Sequence, residues 1–308
     1  MYVAYTLLYL IGLCAYAPRV IWRIIRSGTY RSGIRERFGK VPKHVANVQP
    51  GAIWVHAVSV GEVHAARGLL GHLAELLPEI PVVLSTTTDT GQALAKRANT
   101  AACFYCPVDL PWAISPYFDT LQPRAVVLVE TEIWPNLLNA CNQRDIPIAL
   151  VNGRLSSSSL GSYRRLGCLM RKIVSQLSIV CARTNLEAAR FRNLGILPER
   201  VFTTGNLKAD ALVLTSSVHS RQELAEQLSL NGDPPLLAAG CTMPGEEELV
   251  LEAFRVARAT NPSTLLLIAP RHPERFDQVA QTVTAAGWKC RRRSIGGPVD
   301  AEVLLLDS

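Results

Sequence analysis

The chain has 308 residues, of which 48% are hydrophobic and 19% are charged, a balance that excludes a disordered protein and leaves room for two ordinary domains. Its net charge of +7 arises in residues 18–43, which carry eight basic side chains and one acidic side chain. Removing these from the totals of 32 basic and 25 acidic residues leaves 24 of each, all within residues 44–308. Such a local excess argues against a nucleic-acid-binding surface, so no nucleic-acid partner is predicted.

The N-terminal segment has the pattern of a membrane-associated helix. Residues 1–17 carry no charged side chain, and as a helix they would extend about 25 Å, which is marginal for the hydrocarbon core of a bilayer. Residues 19–26 then place isoleucines on one helical face and arginines on another, as in an interfacial amphipathic helix. We therefore predict a membrane anchor in residues 1–43, with the following domain on the cytoplasmic side. A cleaved signal peptide is less favoured because the segment does not begin with basic residues.

Eight cysteines are spread through the chain without the density of a disulfide framework. Cys103 and Cys106 form a CxxC pair, which is compatible with half a zinc site or a redox pair. There is no second CxxC, and no nearby pair of histidines completes four zinc ligands. Several cysteines lie in apolar runs, where a free thiol behaves as a small hydrophobic side chain. The pattern predicts buried structural thiols in a reducing compartment.

From residue 51 onward, short apolar runs alternate with helical patterns. The apolar runs predict strands at residues 52–56, 81–86, 125–130, 146–151, 178–182, 236–240, 264–269 and 302–306. The intervening patterns predict helices at residues 62–77, 89–98, 133–143, 160–176, 184–193, 245–259 and 274–286. Because the runs are continuously apolar rather than alternating, we expect parallel strands covered on both faces, as in a doubly wound α/β protein.

A segment without this rhythm, residues 205–235, is interpreted as the joint between two Rossmann-like domains. The predicted organisation is a membrane-associated segment at 1–43, an N-terminal domain at 44–207 and a C-terminal domain at 208–308. The last predicted strand ends close to Ser308, where a loop and a covering helix would normally follow. We therefore expect the second domain to be incomplete.

The loop "HAVSVGEV" places Glu62 directly after Gly61, at the start of a predicted helix. A phosphate at this helix end would be repelled by Glu62, and the Gly-Lys-Ser/Thr of a P-loop is absent. Glu62 either stabilises the first turn of the helix or acts as a general base at a cleft. A helix N-terminus lowers the pKa of a carboxylate, whereas a base benefits from a raised pKa. The base role therefore requires partial burial.

Other polar stretches also follow predicted strands, where ligands bind in open α/β sheets. In "VETEIWPN", Glu130 and Glu132 are compatible with a divalent-metal site, although Glu132 is equally compatible with capping helix 133–143. The stretch "NGRLSSSSLGSYRR" is either a solvated helix start or an anion-binding surface around Arg154. "AGCTMPGEEE" is either a nucleotide-sugar site or an ordinary helix start. In "APRHPERF", Arg271 and His272 suit one phosphate group.

Taken in order, these stretches resemble one family, the 3-deoxy-D-manno-octulosonic acid (Kdo) transferases of lipopolysaccharide synthesis. The resemblance covers nearly the whole chain from about residue 15. The motifs that carry it are "WVHAVSVGEV", "STTTDTGQALA", "PVDLPWAI", "VETEIWPN", "VNGRLS", "TGNLKAD", "GCTMPGEEE" and "PRHPERF". Each motif is modest by itself, but eight in the same order are highly specific.

The resemblance implies an α/β, GT-B-like fold, in which two Rossmann-like doubly wound domains face a cleft behind an N-terminal membrane-anchor helix. It implies an inverting glycosyltransferase that transfers Kdo from CMP-Kdo to the lipid A precursor (lipid IVA). The expected location is the cytoplasmic face of the bacterial inner membrane, and the basic N-terminal flank suits a phosphorylated acceptor at the membrane surface. No metal or other cofactor is implied.

The resemblance also implies roles for single residues. Glu62 matches the general base that deprotonates the acceptor hydroxyl, and Glu130 and Lys208 match positions that support the transition state. Contacts with the CMP of the donor are expected from Gly240, Thr242, Pro270, Arg271 and His272. Contacts with the acceptor are expected from Ser59, Gly61, Arg154 and Ser156.

The chain departs from the family pattern at several positions. Ser158 stands where relatives usually carry arginine, and Cys241 and Met243 stand where serine and histidine are common. A glycine-rich turn and an Asn-Pro-Leu-Glu motif, which follow in the family and hold the nucleotide, are absent from this sequence. Two alternatives therefore stay open: a non-catalytic, membrane-associated remnant that binds lipid A precursor, and another GT-B glycosyltransferase that uses a UDP-sugar.

Overall fold

The computed structural model describes residues 1–27, 32–209, 234–295 and 301–307. The chain divides into two compact units, residues 1–215 and 216–308. Most side chains of the predicted amphipathic face at 19–26, and most of the predicted joint at 205–235, lie outside the described residues. Lys208, which the sequence analysis assigns to the start of the second domain, belongs to the first unit.

The helices of the described residues alternate with the strands along most of the chain. They are α1 Tyr2–Ser27, α2 Ile34–Arg37, α3 Lys43–Ala46, α4 Val60–Leu76, α5 Asp89–Ala95, α6 Pro111–Leu121, α7 Pro135–Asn142, α8 Ser157–Arg165, α9 Gly167–Val174, α10 Asn185–Asn193, α11 Glu246–Thr260 and α12 Phe276–Ala285. Short 3₁₀ turns lie at Pro198–Arg200, Pro273–Arg275 and Arg293–Ile295.

All strands of the described residues pair in parallel. They are β1 Ile53–His56, β2 Val82–Thr86, β3 Ala102–Tyr105, β4 Ala125–Val129, β5 Ile148–Gly153, β6 Ile179–Ala182, β7 Val201–Thr203, β8 Leu236–Thr242, β9 Leu265–Pro270, β10 Cys290–Arg292 and β11 Val303–Leu305. The eight predicted strands are all present, so the doubly wound α/β prediction is confirmed at this level.

The first unit is built on a seven-stranded sheet with the order β3-β2-β1-β4-β5-β6-β7. Successive side chains of β1 lie on opposite faces of the sheet. Trp54 packs in a core cluster with Phe104 and Tyr117, whereas Val55 packs in a second cluster with Val63 of α4. Both faces of the sheet are therefore covered. This explains why its strands are continuously apolar in sequence.

The second unit has a four-stranded parallel sheet with the order β10-β11-β9-β8. Its core joins Leu251 and Phe254 of α11 to Leu266 of β9 and Val303 of β11. The predicted final strand therefore lies inside the sheet, between β10 and β9. Its carboxyl end is followed by Asp307, whose carboxylate accepts hydrogen bonds from Arg292 Nε at 2.6 Å and Ser294 N at 2.7 Å.

Helix α1 packs against the rest of the first unit through polar contacts of its first turns. The Tyr5 hydroxyl donates to Asp109 Oδ2 at 2.9 Å, and the Thr6 hydroxyl is 3.0–3.2 Å from the side-chain amide of Asn136. The sequence analysis predicts a membrane anchor here. In the part of the chain that the structure describes, every helix is too short or too polar to cross a bilayer.

The cysteines differ from the prediction of buried structural thiols. All eight are free, but only Cys141 is fully buried, and Cys14, Cys168 and Cys241 are exposed. Burial raises the pKa of the partly buried Cys106 thiol to about 12, which keeps it protonated and unreactive at neutral pH. The CxxC pair therefore lacks the lowered thiol pKa of a redox site.

Candidate functional site

The candidate site of the first unit lies at the carboxyl ends of β1, β4 and β5, where open parallel sheets bind their ligands. Two residues at these ends have left-handed backbone conformations, Glu130 with φ +65° and Asn152 with φ +53°. Such conformations cost of order 1–3 kcal/mol in a non-glycine residue and concentrate at functional sites. The strained backbone is consistent with a requirement for the positions of these two side chains rather than for a regular strand end.

Glu62 lies in the first turn of α4, three residues after Ser59, the N-cap residue. Its Oε2 accepts a hydrogen bond from the Val58 backbone N–H at 2.7 Å, and its Oε1 accepts one from the Ser59 hydroxyl at 3.2 Å. The side chain is buried, with 8% of the residue exposed. The helix-start role considered in the sequence analysis is therefore present, and these contacts also fix the position of the carboxylate.

The electrostatic surroundings of Glu62 favour a basic carboxylate. Burial raises its pKa above the usual value, and the negative charge of Glu130 raises it further. The hydrogen bonds from Val58 and Ser59 and the positive charge of Lys208 act in the opposite direction, but the net effect is a raised pKa. Burial thus supplies the condition that the base role requires, because it outweighs the stabilising contacts at the helix end.

Glu130 and Lys208 form an ion pair, with 3.0 Å between Glu130 Oε1 and Lys208 Nζ. Asn152 helps to hold Lys208 in place, because its Oδ1 accepts a hydrogen bond from the neighbouring Leu207 N–H at 3.1 Å. Asn152 begins one of the polar stretches that follow a predicted strand, but the sequence predicts no role for its side chain. The available signal was an asparagine at the end of a predicted strand, a position where its tolerance of positive φ is useful.

Glu132 does not cap the following helix, which corrects one of its two sequence interpretations. Helix α7 begins at Pro135, and the N–H groups of Asn136 and Leu137 donate to the Asp109 carboxylate at 3.0 and 2.9 Å. Glu132 Oε2 instead accepts a hydrogen bond from the Trp134 indole N–H at 2.9 Å. Burial, and next the charge of Glu62, raises the pKa of Glu132 to about 7.

Replacing Glu132 by glutamine is expected to raise the thermal midpoint at pH 8 while changing it little at pH 4. A carboxyl of pKa about 7 in the folded protein ionises near its usual pKa of about 4.3 when the chain unfolds. Between these two pH values the folded state therefore binds more protons than the unfolded state. The contribution of Glu132 to the free energy of unfolding falls as pH rises through that range. Differential scanning fluorimetry from pH 4 to 8 measures the effect. An equal midpoint shift at both pH values would contradict the perturbed pKa.

A cavity of about 370 Å³ adjoins these carboxylates. Residues 130–132 line one side, and Arg154, Ser156, Ser159 and Tyr163 line the other. Ser156 also caps α8, because its hydroxyl oxygen accepts a hydrogen bond from Ser159 N at 3.1 Å. The structure thus brings the predicted acceptor residues Arg154 and Ser156 together with the predicted catalytic residue Glu130.

The other two predicted acceptor residues, Ser59 and Gly61, lie at the start of α4 beside Glu62. A Cβ atom added to Gly61 would meet nothing closer than the Ser59 hydroxyl oxygen, 4.0 Å away. The atoms of the chain do not require glycine at this position. Its small size instead leaves the backbone open to close approach by a ligand, and acceptor contact at Ser59 and Gly61 stays a prediction.

The predicted donor residues of the second unit lie at the ends of β8 and β9. Pro270 ends β9, and Arg271 N donates to the Thr242 carbonyl at 3.1 Å, which ties the two strand ends together. Among the described residues, the Arg271 guanidinium has no hydrogen-bond or ion-pair partner and is exposed. His272 Nδ1 lies 3.8 Å from Glu274 Oε1, and both side chains are largely exposed.

Thr242 has an internal role in the second unit, and its predicted contact with the donor stays a prediction. It is buried, and its hydroxyl donates to Glu247 Oε1 at 2.7 Å. Arg275 forms a two-pronged ion pair with Glu247 at 3.0 and 2.8 Å. This network fixes the end of β8, where the pairing with β9 is irregular between Gly240 and Thr242 and Cys241 has φ +59°. The Thr242 side chain therefore supports the candidate donor turn from within.

The other sequence interpretation of Glu130 and Glu132 is a divalent-metal site. Within residues 1–27, 32–209, 234–295 and 301–307, no group of three or more His, Cys, Asp or Glu side chains has an arrangement that would hold a metal ion. The only cation paired with Glu130 in this part of the chain is Lys208. The metal interpretation of Glu130 and Glu132 therefore has no support in the described residues.

Comparison with known proteins gives a consistent family match. The family model for 3-deoxy-D-manno-octulosonic-acid transferase (kdotransferase) matches residues 32–211. A 3-deoxy-D-manno-octulosonic acid transferase of Haemophilus influenzae is 34% identical over 88% of this chain, which spans 63% of that relative's length. One from Bordetella pertussis is also 34% identical, over 97% of this chain and 72% of the relative.

Solved structures show likeness in fold. A UDP-N-acetylglucosamine 2-epimerase from Listeria monocytogenes, described as putative in its name, aligns with a TM-score of 0.59 and 16% identity, over 84% of this chain and 69% of that chain. The UDP-GlcNAc 2-epimerase of Neisseria meningitidis bound to UDP-GlcNAc aligns with a TM-score of 0.58 and 12% identity, over 83% of this chain and 72% of that chain. At these identities the likeness concerns the α/β fold alone.

Proposed function

This chain belongs to the 3-deoxy-D-manno-octulosonic-acid (Kdo) transferase family, and we propose that it is an inverting glycosyltransferase that transfers Kdo from CMP-Kdo to the lipid A precursor lipid IVA. The observation that carries this proposal is the buried carboxylate of Glu62, which has a raised pKa at the carboxyl end of the sheet. The ion pair of Glu130 and Lys208 contributes charges that act on it. A general base needs a pKa raised in this way, whereas a residue that only starts a helix does not.

In the proposed reaction, Glu62 removes the proton from a hydroxyl of the acceptor sugar. The hydroxyl oxygen then forms a bond to the anomeric carbon of Kdo from the face opposite CMP, and the bond between that carbon and the phosphate oxygen of CMP breaks. The electron pair of the broken bond leaves with CMP, and Glu62 keeps the proton. Inversion follows from this single displacement, so one base is sufficient.

Lys208 and Glu130 support the reaction electrostatically. The ammonium of Lys208, 3.0 Å from Glu130, is suited to stabilise negative charge on the donor as its bond to CMP breaks. Glu130 holds this ammonium and also raises the pKa of Glu62. On the donor side, we assign the guanidinium of Arg271, which has no partner among the described residues, to the phosphate of CMP, with His272 beside it.

We also propose that α1 lies at the cytoplasmic face of the bacterial inner membrane. Four apolar side chains on its first turns are largely exposed: Val3 at 74%, Leu7 at 56%, Leu8 at 69% and Ile11 at 65%. An amphipathic helix with such a face binds the interface of a bilayer without crossing it. The polar contacts of Tyr5 and Thr6 would then hold the first unit against the membrane surface, where an acylated acceptor is found.

A transfer assay tests the proposed function. The protein is incubated in detergent with CMP-Kdo and lipid IVA, and CMP release and product mass are followed. We expect a product heavier by one or more Kdo units, with inhibition by added CMP and not by UDP. Acceptor binding without product would support the alternative of a non-catalytic remnant. Inhibition by UDP in place of CMP would support a UDP-sugar enzyme.

A further inference from the structure

The cavity beside Glu130 contains polar groups that the first unit leaves without partners. Glu132 uses Oε2 to accept the Trp134 indole N–H, whereas its Oε1 has no hydrogen-bond partner among the described residues. Within the same set of residues, the Tyr163 hydroxyl and the Arg154 guanidinium also have none. All three side chains line the one cavity. Glu132 and Tyr163 are half-buried and Arg154 is exposed, so all three groups are accessible to a ligand that hydrogen-bonds to them.

The walls of this cavity are fixed, so it is a preformed site. The Arg154 carbonyl accepts a hydrogen bond from the Thr131 hydroxyl, which joins the two sides. Arg190 of α10 donates to the Leu155 carbonyl at 2.6 Å and to the Ser157 hydroxyl at 2.8 Å. These contacts hold the start of α8, the helix that carries Tyr163. Little conformational freedom is therefore lost when a ligand binds, and this small entropic cost favours affinity.

The chemistry of the lining indicates the class of ligand. Its volume of about 370 Å³ lies in the range of small-ligand pockets. Every described lining residue is polar or charged, with carboxylates, hydroxyls and one guanidinium, and the Tyr163 ring is the only extended apolar surface. A hydroxylated sugar ring matches this set, because carboxylates and tyrosine hydroxyls bind its hydroxyls and the aromatic ring packs against its C–H groups. An acyl chain does not match it.

The cavity and the candidate base Glu62 lie at the same edge of the first sheet, where β1 and β4 end. Glu130 lines the cavity, and its charge acts on the carboxylate of Glu62. The charge of Glu62 acts in turn on Glu132. A ring held by Glu132 and Tyr163 would therefore lie at the same edge of the sheet as the carboxylate that deprotonates an acceptor hydroxyl, as a transfer reaction requires.

We propose that this cavity is the acceptor-sugar subsite, in which Glu132 and Tyr163 bind hydroxyls of the ring and determine acceptor specificity, while Arg154 binds an anionic substituent of the same acceptor. This inference rests on the proposed function, because it assigns a position to that reaction's acceptor. It adds Glu132 and Tyr163 to the residues predicted from sequence.

The test measures binding of lipid IVA in detergent micelles by isothermal titration calorimetry, and Kdo transfer in parallel. Tyr163→Phe, Glu132→Gln and Arg154→Met are each expected to weaken acceptor binding about tenfold, the loss typical of one buried hydrogen bond. Arg165→Met is the matched control, because Arg165 ends the same helix without lining the cavity. We expect it to bind lipid IVA as the wild type does.

A second probe, lipid IVA after enzymatic removal of its phosphates, separates the assigned roles. With this probe Arg154→Met is expected to bind as the wild type does, whereas Tyr163→Phe and Glu132→Gln still bind about tenfold more weakly. If the thermal midpoints of Tyr163→Phe and Glu132→Gln are at or above the wild-type value, the loss of acceptor binding is not caused by unfolding. If wild-type protein transfers Kdo but Tyr163→Phe and Glu132→Gln bind lipid IVA normally, the subsite is wrong and the function stands. If wild-type protein neither binds lipid IVA nor transfers Kdo, both proposals fail.

Discussion

Replacing Glu62 by glutamine is expected to lower the rate of Kdo transfer about 10²–10⁴-fold, the usual contribution of a general base. Glutamine keeps an oxygen that can accept the Val58 N–H, now 2.7 Å from Glu62 Oε2, so the start of α4 is preserved. It removes the basic carboxylate, so the acceptor hydroxyl keeps its proton. Acceptor binding is expected to stay within a few-fold of the wild type. The rate is measured as CMP release at saturating lipid IVA, and binding is measured by calorimetry.

The matched control for this change is Glu75→Gln. Glu75 lies in the last turn of the same helix, α4, and its exposed side chain is paired only with His72 in the described residues. This variant is expected to transfer Kdo at the wild-type rate. A Glu62→Gln rate within tenfold of the wild type, in a protein that transfers Kdo, would leave Glu62 with its helix-start role alone. If Glu62→Gln lost acceptor binding as well as the transfer rate, Glu62 would have a role in binding the acceptor.

Replacing Asp109 by alanine is expected to destabilise the first unit by about 2–4 kcal/mol, because two buried helix N–H groups and one hydroxyl lose their acceptor together. The carboxylate is 2% exposed and accepts from Asn136 N, Leu137 N and the Tyr5 hydroxyl at 3.0, 2.9 and 2.9 Å. Hydrogen exchange of the α7 amides measures the effect, because it reports the opening free energy of that segment directly. We expect faster exchange in both α7 and α1.

Tyr5→Phe separates the two functions of Asp109. It removes the hydrogen bond from α1 but leaves both α7 N–H groups with their carboxylate acceptor. Exchange is therefore expected to rise in α1 and to stay nearly unchanged in α7. If Asp109→Ala and Tyr5→Phe gave the same small change confined to α1, the helix-capping role of Asp109 would be refuted.

Asp109 also illustrates what local pattern cannot predict. The sequence analysis considers Glu132 as the cap of the helix that follows it, because capping residues normally lie within four positions of the helix start. In the structure Asp109 is the cap instead, although it lies 27 and 28 residues before the two residues whose N–H groups donate to it. Because Glu132 does not cap the helix, its Oε2 accepts the Trp134 indole N–H. The side chain also lines the cavity, and its Oε1 is unpaired among the described residues.

The missed elements have similarly specific causes. Helix α6, Pro111–Leu121, contains Pro116 in its interior, a residue that normally ends a helical pattern. Strand β3, Ala102–Tyr105, has only four residues and is recognised through its pairing with β2. The predicted helix at 160–176 is two helices in the structure, which separate at Leu166 because Gly167, the first residue of the second helix, adopts φ +53°.

The sequence by itself determined the α/β class, eight parallel strands, the family and the candidate base, because these depend on apolar runs and on motifs that lie within a few residues of each other. Tertiary structure decided which residues surround that base. The Glu130–Lys208 pair joins positions 78 residues apart, and the Asn152–Leu207 hydrogen bond joins positions 55 residues apart. The raised pKa of Glu62 and Glu132 depends on burial by the folded chain. Burial and long-range pairing are properties of the packed molecule, and no local pattern encodes them.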